Sequence, residues 1–99
     1  MVRIVKLTFK TSELESFLNH FETVKEKIND FPGCKGMQLL LDKNNKGVVF
    51  TYSKWESEEA LEKYRNSDLF QSIWPVVKKW FDAKPQAWST SVYFDGFSS

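Results

Sequence analysis

The stretch Thr51–Trp74, TYSKWESEEALEKYRNSDLFQSIW, decides how the rest of the chain is arranged, because it leads from a predicted strand into two predicted helices. The strand ends near Trp55, and Ser57 stands where a side chain can cap the helix that follows. Asn66-Ser67 interrupts that helix and caps a second one. Apolar residues recur at helical spacing in both helices, at Ala60, Leu61 and Tyr64 and then at Leu69, Phe70, Ile73, Trp74 and Val77.

The rest of the chain alternates strand and helix patterns around this stretch. Residues 2–10 alternate with period two, and residues 36–42, 48–55 and 88–94 also have strand character. A helix is predicted from a capping box, Ser12-x-x-Glu15, to the stop signal at Phe31-Pro-Gly. The split helix is predicted to reach about Phe81, with a kink or short break at Pro75.

The resulting order, β-α-β-β-α-β, predicts an α+β fold of the ferredoxin-like sandwich type, in a single domain over residues 1–99. Its four-stranded antiparallel sheet would have both helical segments on one face. The strands nevertheless carry apolar residues on both faces, for example Ile4 on one side and Val5 on the other. Because a sheet face in contact with solvent should carry mostly polar residues, the pattern predicts a homodimer that packs sheet against sheet.

Composition and charge exclude several function classes. The 14 basic and 13 acidic residues give a net charge of +1, which is too weak a field to attract nucleic acid. The one cysteine, Cys34, forms no internal disulfide and no cysteine metal cluster. The alternating N-terminus is typical of a strand rather than a signal peptide, and no apolar run is long enough to span a membrane. A cytoplasmic protein with no membrane contact is therefore expected.

The chain resembles the antibiotic biosynthesis monooxygenase superfamily of dimeric α/β-barrel proteins. The resemblance extends from Val2 to about Tyr93. It is carried by the alternating first strand, Phe31-Pro-Gly-Cys34, Leu39-Leu-Leu-Asp42, Tyr52-Ser-Lys-Trp-Glu-Ser57, Ala60-Leu61 and Ser67-Asp-Leu-Phe70. It implies a pocket between sheet and helices in each subunit, and a dimer that completes the barrel.

The resemblance also implies a type of chemistry, since some members oxygenate polycyclic phenols or quinols with no metal and no flavin. A cofactor-independent monooxygenase acting on a small aromatic or quinol-like molecule is therefore expected, with no cofactor; the alternative is a non-catalytic ligand-binding dimer of the same fold. Other members degrade haem with an Asn, a Trp and an axial His. Alignment places these near Val5 or Lys6, near Tyr64 and at Trp74, so the Asn and the His are absent and haem degradation is not expected.

Two residues are the candidate catalytic groups. His20, the sole histidine, lies at the edge of the apolar stripe of the first helix, and an imidazole can exchange a proton near neutral pH. The alternative is a solvated histidine at the helix edge. Tyr64 could hydrogen-bond a phenolic substrate, or could be a half-buried ring with its hydroxyl at the surface.

The candidate substrate-binding residues are aromatic: Tyr52, Trp74, Phe70 and Phe21. For Trp74 and Phe70 the alternative is packing in the core, and for Tyr52 it is a half-buried ring. Arg65 could hold an anionic substrate group or form a surface salt bridge. No metal ligands are predicted, because the sequence has no cluster of such residues.

Overall fold

The computed structural model describes residues 1–97, and its elements follow the predicted order. They are β1 (Val2–Thr8), a 3-10 turn (Thr11–Glu13), α1 (Leu14–Asn29), β2 (Cys34–Leu41), β3 (Val48–Trp55), α2 (Glu58–Arg65), α3 (Asp68–Lys78) and β4 (Gln86–Thr90).

The four strands form one antiparallel sheet in the order β2-β3-β1-β4, which confirms the predicted ferredoxin-like α+β fold. Within a single chain the sheet is open, with β2 and β4 at its edges. The helices cover one face: Leu7 and Val49 pair across β1 and β3 and are buried together with Phe17 of α1 and Ile73 and Val77 of α3.

The opposite face, here called the outer face, carries a second set of apolar side chains. The register places Ile4 beside both Tyr52 and Trp88, and it places Leu40 beside Phe50. Leu40 is 43% exposed and Trp88 is 46% exposed, so this face is only partly covered in a single chain.

Helix starts are confirmed at two of the three predicted caps. The Ser57 hydroxyl accepts from the backbone N–H of Ala60 at 3.1 Å, and the Ser67 hydroxyl accepts from that of Phe70 at 3.1 Å. The capping box predicted at Ser12 is wrong, since no side chain caps α1. The chain enters α1 through the 3-10 turn, in which the Lys10 carbonyl accepts from the N–H of Glu13 at 2.8 Å.

Element ends differ from the predictions where they depend on distant partners. The last strand was expected at 88–94 but lies at Gln86–Thr90, because Thr90 pairs with Val2 and β1 begins there. Residues 91–97 therefore have no β1 partner. The third helix is continuous through Pro75, so of the kink or short break predicted there the break is absent, and the helix ends at Lys78 rather than near Phe81. The apolar face of α3 packs on the core, and this packing stabilises the helix although Pro75 removes one backbone hydrogen bond.

The turn before β2 sits tightly against α2. Gly33 has φ of +89°, and a Cβ built there would lie 2.5 Å from the Cβ of Ala60. The Gly33 carbonyl accepts from the N–H of Glu56 at 2.8 Å, which ties this turn to the end of β3. Glycine therefore allows the close approach that fixes α2 over the end of the sheet.

We predict that Gly33→Ala lowers the free energy of unfolding by more than Gly36→Ala does. Both positions have positive φ and share a backbone penalty of roughly 1–2 kcal/mol. Only Gly33 faces a methyl group, since nothing lies within 4 Å of a Cβ at Gly36. Urea unfolding of both variants measures the difference, and Ala60→Gly should reduce the penalty of Gly33→Ala. Equal losses for both variants would contradict this account.

Candidate functional site

A cavity of about 330 Å³ lies between the helical layer and the covered face of the sheet. Its lining is mostly apolar and comes from every layer of the fold. The sheet supplies Val5, Leu7 and Met37, α1 supplies Phe17, Phe21 and Val24, and α3 supplies Phe70, Ile73 and Trp74. A space of this size and lining suits a small, mostly apolar molecule.

One wall of the cavity is a chain of aromatic rings. Trp55 stacks on Tyr64 with 5.2 Å between centroids, and Tyr64 meets Phe70 edge to face at 5.3 Å. Phe70 in turn stacks on Trp74 at 5.6 Å. Such contacts stabilise by roughly 0.5–1.5 kcal/mol each beyond burial of area, so they hold the wall in shape.

The break between α2 and α3 makes this wall possible. Tyr64 and Phe70 are six positions apart, and in one continuous helix they would point about 120° apart. The interruption at Asn66 and Ser67 turns the chain, and the Ser67 hydroxyl donates to the Tyr64 carbonyl at 2.6 Å. Both rings then contribute to the same cavity.

His20 lines the cavity from α1. Its ring meets Trp80 edge to face at 6.0 Å. The Nε2 atom is buried and has no hydrogen-bond partner within residues 1–97. A buried polar atom without a partner forgoes a hydrogen bond, so a ligand hydroxyl that reached this nitrogen would gain the interaction that the fold leaves unmade.

Tyr64 contributes a phenol that holds its proton. Burial raises the pKa of Tyr64 to about 12, and the nearby Cys34 thiol contributes in the same direction. The hydroxyl is therefore protonated across the neutral range, where it can donate a hydrogen bond but does not act as a base.

Two arginines also line the cavity. Arg3 lies on β1, and its Nη1 donates to the Ser89 hydroxyl of β4 at 3.0 Å. Arg65 is the last residue of α2, with Nη1 3.6 Å from a carboxylate oxygen of Glu62. From the sequence, Arg65 was predicted to hold an anionic group or to form a surface salt bridge, and Arg3 was given no role. Whether the two side chains line one cavity depends on how α2 lies over β1, which the sequence does not indicate.

Five of the six predicted site residues line this one cavity: His20, Phe21, Tyr64, Phe70 and Trp74. The sixth, Tyr52, lies on the outer face beside Ile4 and Gln38. It borders a cleft between the sheet and the C-terminal residues 91–97 instead. The strand alternation in β3 is the reason: Thr51 and Ser53 point to the cavity, so Tyr52 points away.

The described structure supports neither a metal site nor a membrane-spanning helix. Residues 1–97 contain no group of three or more His, Cys, Asp or Glu side chains that could hold a metal ion. Within the same residues, no helix combines the length and the apolar character needed to cross a bilayer.

Solved structures share this fold at low sequence identity. A conserved protein of Methanosarcina mazei Go1 has TM-score 0.81 and 22% identity, covering 87% of this chain and 86% of its own. An antibiotic biosynthesis monooxygenase has TM-score 0.83 and 17% identity, with 93% and 99% covered. A Mycobacterium tuberculosis protein has TM-score 0.86 and 11% identity, with 97% of each chain covered.

No curated protein matches the chain. The family model for antibiotic biosynthesis monooxygenase matches residues 1–76, which include β1, α1, β2, β3, α2 and most of α3. The protein therefore belongs to the antibiotic biosynthesis monooxygenase family.

Proposed function

We propose that this protein is a cofactor-independent monooxygenase that oxidises a small aromatic or quinol-like substrate in the cavity between sheet and helices. The observation that carries the proposal is the convergence of His20 and Tyr64 on one aromatic-walled cavity of about 330 Å³. Membership of the antibiotic biosynthesis monooxygenase family supports the same activity.

The roles follow from the chemistry of the two polar groups. His20 would take a proton from the substrate and leave an electron-rich aromatic anion. Tyr64, which keeps its own proton, would donate a hydrogen bond to the substrate oxygen on which negative charge develops. The rings of Phe70 and Trp74 would hold the substrate flat and keep water from the anion.

The reaction balances without an added reductant, because the substrate supplies the electrons. With an anthrone-like substrate, the anion transfers an electron to O₂ and the two radicals join as a peroxide on the ring carbon. Cleavage of the O–O bond then leaves one oxygen atom on that carbon as a carbonyl. The other oxygen leaves as water, together with the two hydrogens that the carbon carried.

We predict that His20→Gln lowers the rate of oxygen uptake by about 100-fold or more, because glutamine cannot take the proton. Uptake is measured with an oxygen electrode on a panel of anthrones and hydroquinones, and binding is measured separately by tryptophan fluorescence. Asn19→Gln, at an exposed position on the same helix, serves as the control and should retain the rate. If the unaltered protein binds these compounds and consumes no oxygen, the protein is a ligand-binding module instead.

We predict that Tyr64→Phe lowers the oxygen-uptake rate by roughly 10-fold, the effect of one hydrogen bond to a developing charge. The shape of the pH–rate profile from about pH 6 to about pH 9 should not change, because burial raises the pKa of Tyr64 to about 12 and the phenol stays protonated throughout. Loss of the donor would begin only as the pH rises toward 12. Ser72→Ala, which removes an exposed hydroxyl of α3 outside the cavity lining, is the control. A profile altered below pH 9 would assign Tyr64 a different role.

We further propose that two copies pack through their outer faces and so form a dimeric α/β barrel. The outer face leaves Leu40 and Trp88 nearly half exposed, and the C-terminal residues beyond β4 expose Tyr93, Phe94 and Phe97. Leaving this much apolar surface in water forgoes several kcal/mol at about 25 cal/mol per Å². A second copy offers the same surface and would cover it by two-fold symmetry.

We predict a sedimentation mass of twice the 11.6 kDa chain mass, and dissociation of this species by Leu40→Lys. Leu41→Lys is a matched control, since Leu41 is the next residue and is 53% exposed but pairs with Val49 on the helix-covered side of the sheet. In the proposed dimer, the ammonium group of Leu40→Lys would be buried between the two sheets without a partner. The ammonium group of Leu41→Lys would lie outside that interface. A monomer in the unaltered protein, or equal effects of the two variants, would overturn the proposed dimer.

A further inference from the structure

Arg3 and Arg65 bring two positive charges to a cavity that is otherwise mostly apolar. Arg3 is half-buried on the helix-covered side of β1, and the one hydrogen bond of its guanidinium within residues 1–97 goes to the neutral hydroxyl of Ser89. The side chain of Arg65 is 48% exposed and approaches Glu62, itself 62% exposed, at 3.6 Å. Among the described residues that line the cavity there is no carboxylate, and Glu62 lies outside that lining.

The two positive charges repel one another. Burial, and then the positive charge of Arg65, lower the pKa of Arg3, while Glu62 offsets this only in part. Two guanidinium groups that line the same partly desolvated cavity raise the free energy of the folded protein, because they carry like charges. An anion placed between them removes this repulsion, and a guanidinium offers paired N–H groups that match the two oxygens of a carboxylate.

We propose that Arg3 and Arg65 form an anion-binding subsite, and that the ligand of the cavity is an aromatic carboxylic acid whose ring lies against Tyr64, Phe70 and Trp74. The inference rests on the proposed function in using the same cavity, and it narrows the substrate class from aromatic molecules in general to aromatic acids. Arg3, fixed by Ser89, would set the position of the carboxylate, and the more exposed Arg65 would close over it.

Binding of a matched pair of ligands tests the subsite without any reaction. The probes are 2-naphthoate and 2-naphthamide, which share a ring system and differ in charge, and affinity is measured by calorimetry under nitrogen. We expect the acid to bind about 10-fold more tightly than the amide or better, the range for hydrogen bonds to a charged group. Arg65→Gln and Arg3→Gln should each bring the two affinities together.

Control variants separate the subsite from structural effects. Arg3→Gln removes a side-chain hydrogen bond between β1 and β4 and could destabilise the protein, whereas Arg65→Gln leaves that hydrogen bond intact. Lys63→Gln removes an equal charge from an exposed position of α2 outside the cavity, and it should preserve the preference for the acid.

The outcomes distinguish this inference from the proposed function. Equal affinity for acid and amide, or a preference that survives Arg65→Gln, would overturn the anion subsite. Oxygen uptake that is equally fast for neutral hydroquinones and for their carboxylated analogues would overturn it as well, while leaving the monooxygenase proposal standing. Tight, arginine-dependent binding of naphthoate with no oxygen uptake on any substrate would support the subsite and overturn the monooxygenase proposal alone.

Discussion

The sheet has two faces and the chain has helices for only one of them. The position of the core and the case for a dimer both depend on this constraint. The helix-covered side holds Leu7, Val49 and Phe9 in a tight core near one end of β1, where Phe9 stacks on Phe17 at 4.3 Å. The other side has comparable apolar residues and no helix to cover them, which is the physical basis of the proposed dimer.

The core does not fill the whole space beneath the helices. Near Phe9 the side chains close completely, with Val49 at 0% exposure. Toward Arg3 and Trp55, the rings of α2 and α3 stack on one another rather than filling the space above the sheet, and the cavity remains between them and the strands. The stacking gives a wall that stands without a ligand, so binding needs little ordering of side chains.

The order of the elements, the fold class and the local caps could be predicted from the sequence, whereas features that depend on which distant residues pair could not. The caps at Ser57 and Ser67 depend on groups three residues away, so their residue types are enough to predict them. Tyr52 was assigned to the pocket because it is aromatic, yet with apolar residues on both faces of β3 the alternation does not say which face the helices cover. The end of β4 is set by the first residue of β1, which no pattern near Trp88 reveals. The meeting of Arg3 with Arg65 is hidden for the same reason.

The joint between the two short helices has a consequence for how this scaffold can diversify. Each helix has its own serine cap, but the Ser67 hydroxyl that caps α3 also donates to the Tyr64 carbonyl of α2 at 2.6 Å, so the two helices are joined at a fixed angle. A residue gained or lost at Asn66 would turn α3 relative to α2, and it would displace Phe70 in the cavity wall together with Ile73 and Val77 in the core. The length of this two-residue joint is therefore tied to folding, and ligand preference in related chains can change more readily by substitution of Tyr64, Phe70 or Trp74 than by insertion or deletion here.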